Sequence, residues 1–89
     1  MSDPKSQQIR LSDHARGYLE RRGFSEAEVA ETIRTQPWTP ARNDRLEATK
    51  DFAYNDIWNG QLYATKRVRP IFVATPHEIV VVTVYTYYF

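Results

Sequence analysis

Three kinds of side chain in this sequence match the requirements of RNA cleavage without a metal ion. They are a histidine, strand cations and strand hydroxyls, at His14, Lys66, Arg67, Arg69, Thr83 and Tyr85. Attack by the RNA's own 2′-hydroxyl needs a base, cations for the charge on phosphorus, and an acid for the departing 5′-oxygen. DNA has no 2′-hydroxyl, so this chemistry would select RNA. The residue types therefore point to a ribonuclease mechanism that uses only side chains.

His14 is the candidate base, because an imidazole changes its protonation state near neutral pH. Ser12 precedes it and predicts the N-cap of a helix, which places His14 in the first helical turn. The alternative is structural, since a histidine at a helix start can hydrogen-bond a neighbouring loop. The position of His14 at a helix start, taken alone, favours the structural role.

Motifs for other reactions are missing from the sequence. The two histidines, His14 and His77, lie far apart and there is no cysteine, so no metal-ligand spacing exists. The three glycines form no phosphate loop, and no Gly-x-Ser-x-Gly motif marks a serine nucleophile. The sequence thus predicts neither a metal nor another cofactor.

Length and composition set the broad class. The 89 residues suffice for one domain, predicted over residues 9–89 after a flexible leader at 1–8. The lack of cysteine favours the reducing cytoplasm. No run of about 18 apolar residues could span a membrane, so no membrane partner is expected. The net charge of +1 points to no partner, but residues 61–89 carry three cations against the single acid Glu78.

Residues 78–89 organise the predicted fold. All of them except Glu78 are β-branched or aromatic, the types that strands favour. So long and apolar a strand is expected inside the sheet, with a neighbour on each edge over residues 80–85. Alternation predicts a small apolar set facing the helices and a set with hydroxyls and rings on the other face. The two sets are Val80, Val82, Val84, Thr86 and Tyr88, and Ile79, Val81, Thr83, Tyr85, Tyr87 and Phe89.

Two helices should precede the sheet. The first begins at the N-cap Ser12 and ends at Gly23, a left-handed C-terminal residue. Ser25 and Glu28 form a capping box for the second helix, and Pro37 ends it. The predicted buried face of the second helix comprises Ala27, Val29, Ala30 and Ile33.

Residues 46–58 fit a strand and a helix almost equally well. The Asn59-Gly60 turn that follows favours the strand, because a two-residue hairpin needs a strand on each side. Residues 61–75 then form one long strand or two short ones bent at Pro70. The predicted fold class is α+β, with two N-terminal helices on one face of a twisted three- to four-stranded antiparallel sheet.

The register between the last two strands decides which cations share a face with the hydroxyls of the last strand. A two-residue turn at 76–77 puts Lys66 on that face, across from Tyr87. A turn with one residue more or fewer brings Arg67 and Arg69 there instead. The sequence leaves these alternatives open.

The rings of Tyr85, Tyr87 and Phe89 admit two interpretations. They can stack bases, as aromatic platforms do on single-stranded nucleic acid. They can equally form an apolar patch that docks a protein partner or a second copy of the chain, giving a homodimer. The second interpretation describes a non-catalytic protein-binding module.

Several motifs together resemble a known family. They are Asp13-His14-Ala15, then Arg22-Gly23-Phe24-Ser25-Glu26 with Val29, then Pro37, and Val80-Val81-Val82-Thr83-Val84-Tyr85. In this order, over about residues 9–88, the chain resembles the small bacterial domains called domain of unknown function 4258. That family is placed near the RelE-like ribonuclease toxins, so the resemblance implies a RelE/barnase-like fold with two helices and a four-stranded antiparallel sheet.

The resemblance also implies a function and a set of site residues. The function is that of a metal-independent endoribonuclease, the toxin of a type II toxin–antitoxin pair. Its partners would be RNA, free or on the ribosome, and a small cognate antitoxin protein. The predicted catalytic residues are His14, Lys66, Arg69, Thr83 and Tyr85. The predicted RNA-binding residues are Arg21, Arg22, Arg67 and Tyr87.

Overall fold

The computed structural model describes residues 7–89 of the chain. Over that range the chain forms three short helices and one six-stranded sheet. The helices are α1 (Asp13–Gly17), α2 (Leu19–Arg22) and α3 (Glu26–Thr35). The strands are β1 (Ile9–Leu11), β2 (Thr39–Pro40), β3 (Leu46–Glu47), β4 (Lys50–Trp58), β5 (Gln61–Ala74) and β6 (Ile79–Tyr88).

The predicted leader lies mostly outside the described residues, which begin at Gln7. Its last two residues, Gln7 and Gln8, are bound to the turn before β6 and to the start of β6. The side-chain amide of Gln7 donates to the carbonyl of Pro76 at 2.8 Å, and the Ile79 N–H donates to the carbonyl of Gln8 at 2.8 Å. These bonds extend the pairing of β1 with the start of β6.

The predicted fold class is wrong, because the sheet has six strands and is mixed rather than antiparallel. The strand order is β1-β6-β5-β3-β2, and β4 pairs with β5 beside β3. β1 runs parallel to β6, and the other pairs are antiparallel. Three stretches account for the difference. Residues 9–11 add a parallel strand, residues 39–40 form β2, and the single strand predicted at 46–58 divides into β3 and β4.

The first predicted helix is divided in two at Tyr18. Ser12 caps α1 as predicted, its Oγ accepting a backbone N–H of the first turn at 3.1 Å. Gly23 ends α2 in the left-handed conformation, with φ of 71°. A Cβ at Gly23 would collide with the hydroxyl of Tyr88 and the ring of Trp58. This position therefore requires glycine for both its backbone angle and its close packing.

The second predicted helix forms as α3 and begins with the predicted capping box. Ser25 Oγ accepts from the Glu28 N–H at 3.1 Å, and the Glu28 carboxylate accepts from the Ser25 N–H at 2.9 Å. The buried residues of α3 are Val29, Thr32 and Ile33. The prediction that Ala27 is buried is wrong, since it is exposed. Two positions turn a helix by about 200°, so Ala27 lies on the opposite side from Val29.

The core lies between the helices and one face of the sheet. Its fully buried apolar side chains come from both layers and include Val29, Ile33, Val68, Phe72, Ile79, Val81 and Val84. The rings of Trp38 and Phe72 meet edge to face, with centroids 5.0 Å apart. The opposite face of β5 and β6 leaves Arg67, Tyr85 and Tyr87 exposed.

A bulge at Val82 changes the predicted faces of β6. Phe72 pairs with Val81 and Ile71 pairs with Thr83, so Val82 has no partner on β5. The extra residue reverses the alternation of side chains at that point. The predicted faces of residues 79–82 are therefore wrong. Ile79 and Val81 are buried on the helix side, whereas Val80 and Val82 are only partly buried. Beyond the bulge the faces are as predicted.

The prediction that β6 is internal over residues 80–85 is also wrong. β1 pairs with it only at residues 79–81. Beyond this point side chains replace a neighbouring strand on the outer edge of β6. The Ser12 hydroxyl donates to the Val82 carbonyl at 3.1 Å, and an Arg22 Nη1 donates to the Val84 carbonyl at 2.8 Å. β1 is this short because the chain turns into α1 at Ser12.

Ile33→Ala should lower the free energy of unfolding by about 2–5 kcal/mol, because the side chain is fully buried in the core. Ser25→Ala removes only the cap of the same helix and should cost about 1 kcal/mol. Urea denaturation followed by circular dichroism measures both changes. Equal and negligible effects would show that α3 is not docked on the sheet.

Candidate functional site

The pairing of β5 with β6 decides which cations share a face with the hydroxyls of β6. Arg69 pairs with Tyr85, and Arg67 pairs with Tyr87. Residues paired across strands project to the same face, so both arginines lie on the exposed face with both tyrosines. Next to the turn, the pairs from Ala74–Ile79 to Phe72–Val81 follow the register of a two-residue turn, which would have put Lys66 on the exposed face. The bulge in β6 then shifts the pairing by one residue, which makes the two arginines the facing cations.

Lys66, a predicted catalytic residue, projects to the helix side of the sheet and is 8% exposed. Its Nζ lies 2.8 Å from the Glu28 carboxylate and donates to the Gly23 carbonyl at 2.9 Å. These contacts join β5 to the start of α3 and the end of α2. The structure therefore gives Lys66 a packing role away from the other predicted site residues.

Rows of paired residues cross the exposed face from β6 to β5 and on to β3 or β4. They are Thr83 with Ile71 and Glu47, Tyr85 with Arg69, and Tyr87 with Arg67 and Asp51. Neighbouring strands lie about 4.8 Å apart, so the backbones at Glu47 and Thr83 are separated by about 10 Å. Arg69 Nε lies 3.6 Å from a Glu47 oxygen, which is an ion-pair contact but too long for a hydrogen bond.

The first two rows line a pocket of about 360 Å³. This is the size range of small-ligand sites, roughly 300–1,000 Å³. The pocket is lined by Ala41, Arg42, Asn43, Arg45, Glu47, Arg69, Ile71, Thr83 and Tyr85. Three of these side chains are arginines and one is a carboxylate, so the pocket carries a net positive charge. Arg69, Thr83 and Tyr85 were predicted as catalytic, and the fold brings these three together.

The loop between β2 and β3 supplies the other two arginines. Asn43 and Asp44 both have φ of 59°, a left-handed conformation that Asn and Asp adopt more readily than other residues. The Arg45 N–H donates to the Arg42 carbonyl at 3.2 Å and closes this turn. Among residues 7–89, the side chains of Arg42 and Arg45 have no carboxylate partner. Sequence reasoning missed Arg42, Arg45 and Glu47, although an Asn-Asp turn flanked by arginines was a visible signal.

Arg22 connects the helices to the pocket. Its Nη1 donates to the Thr83 hydroxyl at 3.3 Å and to the Val84 carbonyl at 2.8 Å. The guanidinium carbon lies 4.0 Å from the centroid of the Tyr18 ring and 5.1 Å from that of Tyr85. Because Arg22 fills an acceptor position of the Thr83 hydroxyl, the hydroxyl proton is free to be donated toward the pocket.

His14 and Arg21 lie farther from the pocket. His14 is exposed on α1, and its ring meets Tyr18 edge to face with centroids 5.0 Å apart. Tyr18 and Arg22 lie between it and Thr83. Arg21 is exposed, 5.8 Å from the Tyr18 ring. The fold therefore does not bring these two predicted site residues to the pocket.

An aromatic strip formed by Tyr85, Tyr87 and Phe89 leads away from the pocket. These rings are exposed by 38%, 42% and 54%. The Arg69 guanidinium lies 5.0 Å from the Tyr85 centroid and 6.0 Å from that of Tyr87, and Arg67 lies 5.0 Å from Phe89. Each ring of the strip therefore has a cation beside it, so the strip is not a purely apolar patch.

Two carboxylates beside the strand arginines, Glu47 and Asp51, have different surroundings. Asp51 accepts two hydrogen bonds from Arg67, at 2.7 and 3.1 Å. The hydrogen bond from Arg67 is the main reason that the pKa of Asp51 lies below its ordinary value. The Glu47 carboxylate accepts no hydrogen bond from any of residues 7–89 and has only the ion-pair contact with Arg69. Glu47, the carboxylate in the pocket, is thus the one of the two without a hydrogen bond from an arginine.

Comparison with protein-family models, curated proteins and solved structures gave no match. Within the described part of the chain, no cluster of three or more His, Cys, Asp or Glu side chains is arranged to hold a metal ion. The helices formed by residues 7–89 are all too short or too polar to cross a bilayer. The pocket and the aromatic strip are therefore the features that indicate a function.

Proposed function

We propose that the protein is a metal-independent endoribonuclease that cleaves single-stranded RNA in the cytoplasm. The observation that carries this proposal is the convergence of Arg42, Arg45 and Arg69 with Thr83 and Tyr85 on one pocket. Guanidinium groups bind phosphate oxygens through paired hydrogen bonds, and the charge of three of them exceeds what the one carboxylate of the pocket, Glu47, can neutralise.

The pocket contains the donors that transesterification needs at phosphorus. The 2′-oxygen attacks, the bond from phosphorus to the 5′-oxygen breaks, and the products are a 2′,3′-cyclic phosphate and a 5′-hydroxyl. Arg42, Arg45 and Arg69 stabilise the charge that grows on the non-bridging oxygens. Thr83 donates its hydroxyl proton to one of those oxygens. Tyr85 lies in the same pocket and gives its phenolic proton to the departing 5′-oxygen.

The aromatic strip extends the proposed site along the RNA. Bases stack on exposed rings with little dependence on sequence, and each stacked base contributes about 1–3 kcal/mol. Arg67 and Arg69 lie beside the rings, where they can bind phosphates between the stacked bases. Stacking requires unpaired bases, so the strip favours single-stranded RNA over a duplex.

The biological role that we propose is that of the toxin in a type II toxin–antitoxin pair, with a small antitoxin protein as partner. The support for this role is the resemblance to domain of unknown function 4258, together with a site suited to RNA. Such a toxin slows growth when it is expressed without its antitoxin. The resemblance bears on the role alone and carries no argument about the fold.

A non-catalytic protein-binding module is the second candidate, and the exposure of three rings in a row favours it. Tyr85, Tyr87 and Phe89 would then contact a protein partner or a second copy of the chain. This module has no need for the arginines of the pocket. The two candidates therefore differ in their requirement for Arg42, Arg45 and Arg69.

The proposal is tested with purified protein and an end-labelled single-stranded RNA in EDTA, between pH 6 and 8, with and without ribosomes. We expect cleavage of the RNA, no cleavage of DNA of the same sequence, and a loss of activity as salt rises. RNA that stays intact under all these conditions would contradict the ribonuclease and leave the binding module.

A further inference from the structure

We infer that Glu47 is the general base of the proposed ribonuclease. This inference rests on the function proposed above and assigns a catalytic role that sequence reasoning gave to His14. Glu47 lines the pocket with the three arginines, Thr83 and Tyr85. It is the one carboxylate among the residues that line this pocket, and no histidine lines it.

The position of Glu47 on the sheet fits a base on the far side of the phosphate from Thr83. Ile71 pairs with Glu47 on one side and with Thr83 on the other. The two flanking backbones are therefore about 10 Å apart, which leaves room for one phosphate and its ribose above Ile71. The Glu47 side chain is 28% exposed, so a bound ribose can reach it.

The contacts of Glu47 leave its oxygens able to accept a proton. Arg69 Nε lies 3.6 Å away and forms no hydrogen bond with it, and Arg69 Nε itself has no hydrogen-bond partner among residues 7–89. Asp51, two rows farther along, is hydrogen-bonded twice by Arg67, and its pKa is lowered for that reason. Of Glu47 and Asp51, Glu47 is the one whose carboxylate no described residue hydrogen-bonds, so it is the one able to act on a substrate.

The step that follows balances in protons and bonds. A Glu47 oxygen takes the proton of the 2′-hydroxyl while the 2′-oxygen forms its bond to phosphorus. The bond between phosphorus and the 5′-oxygen breaks, and that oxygen takes the phenolic proton of Tyr85. Water then returns a proton to Tyr85 and removes one from Glu47. No atom is oxidised or reduced, and no co-reactant is needed.

The deciding experiment is single-turnover RNA cleavage by Glu47→Gln, with RNA affinity measured on the same variant. Loss of a general base should slow cleavage by about 10²–10⁴-fold. Binding should stay the same or become tighter, because the substitution removes a negative charge from among the arginines. The acidic limb of the pH–rate profile should also disappear, a change that a merely structural role would not produce.

Matched variants separate this role from others. Asp51→Asn removes a carboxylate from the same face and should leave the rate within about threefold, as should His14→Ala, since neither residue lines the pocket. Glu47→Asp keeps the charge on a shorter side chain, so it should be slow but retain the acidic limb. The rate and pH profile of Glu47→Asp also test the role of Glu47 if Glu47→Gln is poorly folded.

The outcomes distinguish this inference from the function on which it rests. A wild-type protein that cleaves RNA, with Glu47→Gln within about threefold of its rate, would overturn the role of Glu47 and leave the ribonuclease intact. A large loss of cleavage rate in His14→Ala, with Glu47→Gln still active, would show that His14 is the general base instead. A wild-type protein without any RNA cleavage would overturn both.

Discussion

Tyr85→Phe should slow RNA cleavage by about 10²–10⁴-fold, because it removes the proton that we assign to the departing 5′-oxygen. The ring stays in place beside Arg22 and Arg69, so packing and RNA stacking should change little. Single-turnover rates measure the chemical step, and thermal unfolding checks that the fold is retained. When the protein is induced in a bacterial host, the variant should relieve the slowing of growth.

Tyr87→Phe is the matched control for this substitution. It makes the same chemical change two positions along β6, on the same face but in the row beyond the pocket. Its cleavage rate should stay close to that of the wild type. Equal rates for Tyr85→Phe and the wild type would remove Tyr85 from the chemistry and leave it as a stacking platform.

Arg69→Gln should lower kcat/KM by about 10²–10³-fold, because one of three guanidinium groups that stabilise the phosphorane would be lost. The slope of log affinity against log salt should also become shallower by about 0.7, the value for one phosphate contact with a single strand. Arg69→Lys keeps the charge but not the planar fork, so it should recover only part of the activity.

Arg67→Gln is the control for Arg69→Gln, since it removes an arginine from the same strand and face. Arg67 is bound to Asp51 and lies outside the pocket, so its loss should weaken RNA binding with little effect on kcat. Equal losses of kcat in the two variants would show that the pocket has no special part in the reaction. The arginines would then act only as a general positive surface.

The parts of the fold that were predictable from sequence are those set by local chemistry. The Ser25 and Glu28 capping box, the left-handed Gly23 and the Asn59-Gly60 turn all formed as predicted. Each depends on a backbone angle or a hydrogen bond between residues close in the chain. The strand at residues 46–58 was correctly favoured for the same reason, although it is divided into β3 and β4.

The features of the fold that were predicted wrongly depend on contacts between residues far apart in the sequence. The fold class was wrong because β1 and β2 are short strands that exist only by pairing with β6 and β3. Strands of two or three residues carry no periodicity that a sequence pattern could reveal. The edge of β6 was likewise unpredictable, since it depends on Ser12 and Arg22 replacing a strand.

The candidate site shows the same division. The strand arginines and hydroxyls were identified by residue type, but the bulge at Val82 decides that Arg69 rather than Lys66 faces Tyr85. No residue in the run of valines marks where the extra one lies. Arg42, Arg45 and Glu47 enter the pocket because the loop between β2 and β3 closes beside β5, which is a consequence of the tertiary fold.

The most direct test of the ribonuclease uses a DNA strand that contains one ribonucleotide, incubated with the protein in EDTA. The account predicts a single cut immediately 3′ of the ribonucleotide, with mass spectrometry showing a 2′,3′-cyclic phosphate on one product and a 5′-hydroxyl on the other. The same strand with a 2′-O-methyl group at that position should remain intact. Cleavage of the methylated strand, products with a 3′-hydroxyl and a 5′-phosphate, or no cleavage of the ribonucleotide strand would each contradict it.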